Sequence, residues 1–463
     1  MNLKRFIGDR EFYRSLLSVS IPIIIQNSIT NFISLLDNVM VGQIGTEQMS
    51  GVSIVNQLLF VFNLCIFGAL SGAGLFGAQF FGRDDREGLR YAYRYKFITS
   101  LILCALAVGV FLLLGEPLIA LYLHEGSETG DLVKTMQYAK EYLAISLVGL
   151  FPYTLTQIYA SSLREVKHTL PPMVAGIIGV SINLALNYIL IFGKLGLPTL
   201  GVEGAAIATV ISRFVECVLV VLWTHLHANK CPFIIGAYRS LRVPKDLVRT
   251  ITVTGMPLLI NETLWAAGQA MILQCYSLCG IATVSAMNIS GTVLNTFSVL
   301  YIATGSAISI LLGHRLGSGD KEKAMDDARK MIAFCTALGV VAGLLIAACA
   351  FFFPNFYNTT EEVRTLATWF TLTVAIGAPI HAILNGSYFT LRSGGKTIIT
   401  FLFDSVYVWA VTIPLSLCMI LYSPLPVEWI YMICYNTEIF KCILGLVLVG
   451  RGVWLNSFTK QTS

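Results

Sequence analysis

SIPIIIQN at residues 20–27 and TGMPLLINE at residues 254–262 each open a long apolar stretch, with a proline close to its start. The first stretch runs from about residue 15 to residue 41, and the second from about residue 247 to residue 275. A helix needs roughly 20 apolar residues to cross a bilayer, so both stretches are long enough to span one. Their similarity indicates that the chain contains a repeat.

Three further pairs of segments recur at a spacing of about 230 residues: GAQFFGRDDRE (77–87) with LGHRLGSGDKE (312–322), SSLREVKHT (161–169) with FTLRSGGKT (389–397), and PTLGVEG (198–204) with SPLPVEW (423–429). The sequence therefore predicts an N-terminal lobe, a cytoplasmic connecting loop and a C-terminal lobe, at residues 1–226, 227–246 and 247–463.

The composition indicates a membrane protein, because 56% of the 463 residues are hydrophobic and only 12% are charged. A soluble domain carries roughly 25% charged residues. The apolar stretches are too long for the strands of a β-barrel, so we expect an all-α polytopic protein. The predicted spans are residues 15–41, 50–78, 96–115, 136–160, 171–193, 203–226, 247–275, 283–312, 328–353, 363–390, 398–421 and 428–449.

Most of the 31 Lys and Arg residues lie at the termini and in alternate loops, which predicts that both termini are cytoplasmic. Examples are Lys4, Arg5, Arg83, Arg86, Arg239, Arg242, Lys321, Lys323 and Lys460. The net charge of +5 is explained by this topology, so we expect membrane lipids and no nucleic acid as partners. We place the protein in the cell membrane as a multi-pass monomer.

The 11 cysteines are scattered through the predicted spans without paired CxxC motifs, which indicates apolar packing and neither a disulfide framework nor a zinc site. We expect no cofactor. Because each lobe has six spans, both lobes start on the same side. Two such lobes can enclose a central cavity that opens to either side by rocking.

Four segments resemble the multidrug and toxic compound extrusion (MATE) family, and the resemblance covers essentially the whole chain. They are LLDNVMVGQIG (35–45), the stretch from Asn183 to Glu216, PLLINETLWAAG (257–268), and LRSGGKT (391–397) with the following Asp404, Trp409 and Pro414. The resemblance implies two six-helix lobes and export of drugs or metabolites, often cationic, in exchange for Na⁺ or H⁺.

Asp37 is the first candidate for ion coupling, because a charged side chain at membrane depth is rare unless it is paired, hydrated or functional. It shares a polar stripe of span 1 with Gln26, beside Asn31, and we assign those two residues to the substrate cavity. The family resemblance implies a cation or proton site at Asp37, Asn183 and Asn187. We expect no bound metal other than Na⁺ at these residues. The alternative is an acid near the outer headgroups, with the asparagines bonding between helices.

Glu262 lies near the middle of span 7, with Trp265 on the same face and Pro257 permitting a bend before it. It is a candidate for proton exchange and for attracting a cationic substrate, with Trp265 as a stacking surface. The alternative is a structural acid held by a partner such as Asn288, which we also place at the cavity.

Asp404 is a further candidate for ion coupling, and the alternative expectation is a structural salt bridge with Arg392 and Lys396 of the preceding loop. His381 is assigned to the substrate cavity, where an imidazole fits a proton path, although a lone histidine is more often a packing residue.

Two charge pairs occupy repeat-equivalent positions with reversed signs: Arg213 with Glu216 in span 6, and Glu438 with Lys441 in span 12. Because their members are three residues apart on a helix, we expect each pair to neutralise itself. Together with Pro22 and Pro257, these four residues are assigned structural or gating roles.

Two other functions are alternatives. A flippase for lipid-linked oligosaccharides would need interior arginines to bind pyrophosphate, yet the intramembrane acids outnumber the intramembrane bases here by five to two. A polytopic membrane enzyme would need clustered ligands or acids, and the six histidines, which include His124, are dispersed. GGKT at 394–397 lacks the first glycine of a phosphate-binding loop, because position 390 is Thr390. An ion-coupled antiporter is therefore the favoured reading.

Overall fold

The structure is a computed structural model that describes residues 6–123, 131–194, 196, 198–357 and 359–458. Lys4, Arg5, His124 and Lys460 lie outside the described residues. Within that part the secondary structure is helical, without strands. The α-helices are α1 (Arg10–Gly42), α2 (Thr46–Gly82), α3 (Arg86–Ala120), α4 (Leu132–Val148), α5 (Leu150–Glu165), α6 (Leu170–Phe192), α7 (Gly201–Leu226), α8 (Lys245–Ser277), α9 (Ile281–Gly317), α10 (Lys321–Ala350), α11 (Glu361–Ser393), α12 (Thr397–Phe401), α13 (Ile413–Tyr422), α14 (Val427–Asn436) and α15 (Glu438–Gly450).

Nine helical segments of the described chain are long and apolar enough to cross a membrane, and α4 with α5 makes a tenth if this pair, bent by 46°, is one span. The predicted all-α polytopic class is thereby confirmed. The helices α1 and α8 have 33 residues each and cover predicted spans 1 and 7, and neither is among these nine segments. They carry Asp37 and Glu262. The count of twelve spans stays a prediction.

Predicted span 11 departs from regular α-helix in its middle. Leu402–Val406 and Val408–Thr412 form wider π-helical turns between α12 and α13. Pro414 lies in the first turn of α13 and has no backbone N–H to donate to the preceding turn. π-helical turns are frequent at functional sites, and this one contains Asp404.

The chain forms two compact units. The C-terminal unit consists of Met1–Ile24, Ala78–Asp85 and Ile251–Ser463, and the N-terminal unit consists of Ile25–Gly77 and Arg86–Thr250. The core of the C-terminal unit combines α9, α10 and α11 with apolar side chains from the start of α1, among them Leu16 and Val19. The division of the sequence at residues 226 and 247 stays a prediction.

The connecting loop packs against the N-terminal unit instead of extending into solvent. Cys231 and Phe233 are fully buried. Arg94 of α3 donates from Nε to the carbonyl oxygen of Ala237 (2.8 Å), from Nη2 to that of Gly236 (2.9 Å) and from Nη1 to that of Arg242 (3.2 Å). One guanidinium group therefore holds the loop at three points.

We predict that Cys231 reacts slowly with a maleimide in the wild-type chain and that Arg94→Ala makes it reactive. Burial raises the pKa of the Cys231 thiol to about 11, so only about 1 in 10,000 of these thiols is ionised at pH 7. Removing the Arg94 guanidinium releases the loop and exposes the thiol. The measurement is the alkylated fraction by mass spectrometry in a chain whose other cysteines are replaced.

Arg239→Ala is the control, because Arg239 is an exposed residue of the same loop and its removal should leave the labelling unchanged. Equal labelling of Cys231 in the wild-type and Arg94→Ala chains would contradict the docking of the loop.

Candidate functional site

Asp37 meets two amides of α6, which the i, i+4 spacing of Asn183 and Asn187 places on one face of that helix. Asn187 Nδ2 donates to Asp37 Oδ1 (2.6 Å) and to Asn183 Oδ1 (3.1 Å). Asn183 Nδ2 donates to Thr209 Oγ1 of α7 (3.2 Å). Three helices thus converge on one group, and the predicted trio lies together.

The Asn183 amide fits this group in two orientations, which differ by exchanging its oxygen and nitrogen. In the orientation above, its oxygen faces the two Asp37 carboxylate oxygens at 2.9 and 3.1 Å. In the other orientation its nitrogen donates to both carboxylate oxygens, and its oxygen accepts from Thr209 Oγ1 at 3.2 Å. The first orientation suits a carboxyl group that holds a proton or a cation, and the second suits an empty carboxylate.

The group is rich in oxygen and has no cation of its own. Asn187 is 1% exposed, and its Oδ1 has no hydrogen-bond partner among the described residues. Across the same part of the chain, no Lys, Arg or His nitrogen lies within salt-bridge distance (4.0 Å) of Asp37. Carboxylate and amide oxygens are the ligands that hard cations prefer. The site can therefore accept a proton or a small hard cation.

A second polar group of the N-terminal unit surrounds Gln26. Arg164 Nη2 donates to Gln26 Oε1 (3.0 Å), and Gln26 Nε2 donates to the carbonyl oxygen of Pro172 (3.4 Å). A side chain added at Gly176 would touch both Gln26 and Glu216. The absence of a side chain there leaves room for this group.

Of the two predicted pairs within one helix, one forms in the described chain and the other does not. Lys441 Nζ lies 2.9 Å from Glu438 Oε1 in α15. Arg213 and Glu216 of α7 form no ion pair within the 4.0 Å distance criterion. The Arg213 guanidinium instead lies 5.2 Å from the centre of the Tyr153 ring.

Glu262 faces an arginine from α11. Arg392 Nη1 lies 3.8 Å from Glu262 Oε1, and the two side chains are 4% and 16% exposed. The Arg392 guanidinium also lies 5.3 Å from the centre of the Phe389 ring. Asn288, expected as the partner of Glu262, is exposed and does not take that place. The 3.8 Å separation is too long for a hydrogen bond, so the pair is held loosely.

Asp404 is bound by α8 and α15, not by its own loop. Asn261 Nδ2 donates to Asp404 Oδ2 (3.0 Å), and Lys441 Nζ lies 3.8 Å from Asp404 Oδ1. The expectation that Arg392 and Lys396 reach Asp404 is wrong for this structure, because Arg392 turns to Glu262.

Asn261 is the residue that sequence reasoning missed. Its Oδ1 accepts from the backbone N–H (3.3 Å) and the hydroxyl (2.7 Å) of Ser405, and its Nδ2 also donates to Tyr388 Oη (3.3 Å). It lies four residues after Pro257, as Gln26 lies four residues after Pro22. The internal repeat could therefore have identified Asn261. Thr209, which bonds to Asn183, was also missed, and no feature of the sequence marks it.

The remaining predicted cavity residues do not join these groups. The His381 ring lies against the Tyr435 ring, tilted by 47° with centroids 4.8 Å apart, and its Nε2 has no hydrogen-bond partner in the described chain. Asn31, Trp265 and Asn288 are exposed. Trp265 thus presents an aromatic face that is 39% exposed, close in sequence to Glu262.

The two units carry different charged residues at positions that are equivalent in the internal repeat. Arg164 and Arg392 are equivalent in the repeat, whereas Gly176 stands where the other half has Asp404. Around Arg392 the C-terminal unit gathers three acids and two bases, namely Glu262, Asp404, Glu438, Arg392 and Lys441. One negative charge remains, and a proton or a monovalent cation can balance it.

We predict that Arg392→Ala lowers the free energy of unfolding by about 3 kcal/mol, because it leaves Glu262 buried without its cation. Adding Glu262→Gln to the same chain should restore part of this loss. The measurement is thermal unfolding in detergent, as a double-mutant cycle.

Lys140→Ala serves as the control, because the Lys140–Glu116 pair (2.7 Å) is 50% and 62% exposed and such pairs contribute only about 0–1 kcal/mol. Additive effects of Arg392→Ala and Glu262→Gln would show that the two side chains do not interact.

Comparison with known proteins agrees with these features. The family model described as MatE matches residues 22–189 and, a second time, residues 257–422, which together make up more than half of the chain. A protein of Thermotoga maritima named "Probable multidrug resistance protein NorM" is 24% identical over 460 residues, which cover 96% of this chain and 93% of that protein. The multidrug resistance protein MdtK of Pectobacterium atrosepticum is 27% identical over 413 residues, or 87% of this chain and 86% of the relative.

Solved structures share the fold. An outward-facing multidrug resistance MATE family transporter superposes with a TM-score of 0.86 at 17% identity and covers 98% of both chains. A mutant of the Vibrio cholerae MATE transporter VcmN gives a TM-score of 0.86 at 16% identity, over 97% of this chain and 99% of the other. With the family match over both halves, the chain belongs to the MatE family of membrane transporters and is not an enzyme.

Proposed function

We propose that this transporter exports small organic, mainly cationic, drugs or metabolites in exchange for Na⁺ or H⁺ by alternating access. It lies in the cell membrane as a monomer, with both termini in the cytoplasm. The observation that carries the proposal is Asp37, a carboxylate of a predicted span whose hydrogen-bond partner in the described chain is a neutral amide.

An unpaired charge at the centre of the bilayer costs at least about 2.5 kcal/mol on insertion scales. Asp37 avoids that cost when a proton or a cation occupies it. The Asn183 amide adds a polar group 2.9 and 3.1 Å from the two carboxylate oxygens. Asn187 adds a buried oxygen without a partner. A site of this kind binds an ion and releases it, which coupling requires.

The C-terminal unit supports the choice of cationic substrates. In the group around Arg392, three acids outnumber two bases. The only basic side chain close to Glu262 in the described chain lies at 3.8 Å. Glu262 is therefore the acid that exchanges a proton for a cationic substrate, with Trp265 as an aromatic contact. Asp404 remains in the coupling group through Asn261 and Lys441. Relatives named for multidrug resistance agree with an export role.

The proposal is tested with purified protein in proteoliposomes, with a Na⁺ or an H⁺ gradient imposed separately. A cationic dye should move against its gradient under one of the two ion gradients and should dissipate that gradient. Translocation of a fluorescent lipid without ion movement would instead support the flippase. No dye movement under either gradient would contradict the proposal.

Asp37→Asn should abolish dye export while leaving expression and the melting temperature close to wild type, because the amide cannot carry the exchanged charge. The measurement is initial dye efflux at saturating ion gradient. Glu11→Gln, an exposed acid at the start of the same helix, is the control and should export normally. Normal export by Asp37→Asn would remove Asp37 from the mechanism.

Glu262→Gln should raise the KM for a cationic dye by about tenfold, since a charged partner in a buried site contributes on the order of 1.5 kcal/mol or more. The pH dependence of export should also flatten. Initial rates across dye concentration and pH measure both. Glu361→Gln, whose side chain is 85% exposed, should behave as wild type, and an unchanged KM and pH profile in Glu262→Gln would rule out this role.

A further inference from the structure

The last turns of α2, Ala78–Gly82, pack directly onto α9. A Cβ placed on Gly313 would lie 2.8 Å from the Ala78 Cβ. A side chain on Gly317 would overlap the carbonyl oxygen of Gln79, and one on Gly82 would overlap that of His314. Small residues four apart on both helices let the backbones touch. The contact is symmetric in the repeat, because Gly82 and Gly317 are equivalent positions.

Gln79 is fully buried at this contact and its amide is occupied on both sides. Its Nε2 donates to the carbonyl oxygens of Ser393 (3.0 Å) and Asn456 (3.3 Å), and its Oε1 accepts from the backbone N–H of Phe458 (2.9 Å). One side chain of α2 therefore joins the end of α11 to the C-terminal segment 454–458.

The C-terminal segment is itself fixed in place. Trp454 is fully buried, and its Nε1 donates to the carbonyl oxygen of Val449 (3.3 Å). Gly395 adopts a φ of +72°, and a side chain there would overlap the Phe458 ring. The loop after α11 and the C-terminal segment thus form one surface, to which Gln79 is bonded.

The helix α2 is continuous, yet its residues up to Gly77 belong to the N-terminal unit and those from Ala78 belong to the C-terminal unit. If the first part of α2 moves during transport, either α2 bends or its end leaves α9. If the end of α2 leaves α9, the three hydrogen bonds of Gln79 break. The Gln79 amide and its former partners must then form hydrogen bonds with water.

We propose that Gln79 is a positioning residue of the transport cycle, which latches the end of α2 to the Ser393 carbonyl and the C-terminal segment. This inference rests on the proposed transport by alternating access. The latch opens when the end of α2 separates from Gly313 and Gly317, and it re-forms when they meet again.

The first test uses Ser393→Cys as the only cysteine, because Ser393 is fully buried beneath Gln79. Gln79→Met keeps the volume of the side chain but removes its hydrogen bonds. It should raise the rate of labelling by a hydrophilic maleimide from the cytoplasmic side at least about tenfold, because the three lost hydrogen bonds stabilise the latched form. Unchanged labelling would overturn the proposal.

Cys335 as the only cysteine is the matched control, because it is fully buried in the core of the same unit. It should stay unlabelled in the Gln79→Met chain. Equal gains at Ser393→Cys and at Cys335 would mean general loosening, and that result would also overturn the latch.

The second test locks the contact. In a chain without other cysteines, Ala78→Cys with Gly313→Cys needs a separation of only about 1 Å to reach disulfide geometry. Oxidation should reduce dye export more than tenfold, and a reductant should restore it. Full export by the oxidised chain would overturn the latch. Export by the reduced chain would show that the proposed transport function is intact. Failure of the latch can therefore be distinguished from failure of the transport proposal.

Discussion

A carboxylate inside a membrane needs a partner, water or an exchangeable ion, and this requirement governs the structure. Glu262 and Asp404 lie 3.8 Å from Arg392 and Lys441, respectively. Asp37 differs, because it accepts from the Asn187 amide and has no salt bridge within the described chain. This difference supports two separate roles. The C-terminal unit holds Glu262 and Asp404 near basic side chains, and we propose that Asp37 of the N-terminal unit binds the exchanged ion.

The two halves of the chain share one duplicated helical arrangement but carry different charged residues at equivalent positions. The arginine of the LR motif is present twice, as Arg164 and Arg392, and a polar residue follows each proline by four positions. Arg164 bonds to the neutral Gln26, whereas Arg392 meets Glu262. The acid and the base in the last helix of each half, Arg213 with Glu216 and Glu438 with Lys441, are also in reversed order. Differently charged halves would give the proposed antiporter two distinct sites on one repeated fold.

The sequence predicted the helices from apolar runs of spanning length, and the spacing of Asn183 and Asn187 placed both amides on one helix face. The meeting of these amides with Asp37 was implied by the family resemblance. The residues alone did not predict which side chain meets which across the helices of the C-terminal unit. Arg392 reaches Glu262 and leaves Asp404 to Asn261, and this depends on the rotation of α11 and on the π-helical turns around Asp404. The docking of Cys231 and Phe233 was equally hidden, since a basic loop between lobes looks solvated in sequence.

The most direct measurement is the water accessibility of the Asp37 and Glu262 positions. Asp37→Cys and Glu262→Cys, each as the only cysteine, would be treated with a hydrophilic thiol reagent in vesicles of both orientations. We predict labelling of each position from at least one side, because the acid of the native chain must meet ions or substrates that arrive through water. Exposed Cys279, tested alone in the same way, is the positive control. If Cys279 were labelled and neither position reacted from either side, Asp37 and Glu262 could not exchange ions or cationic substrates with water.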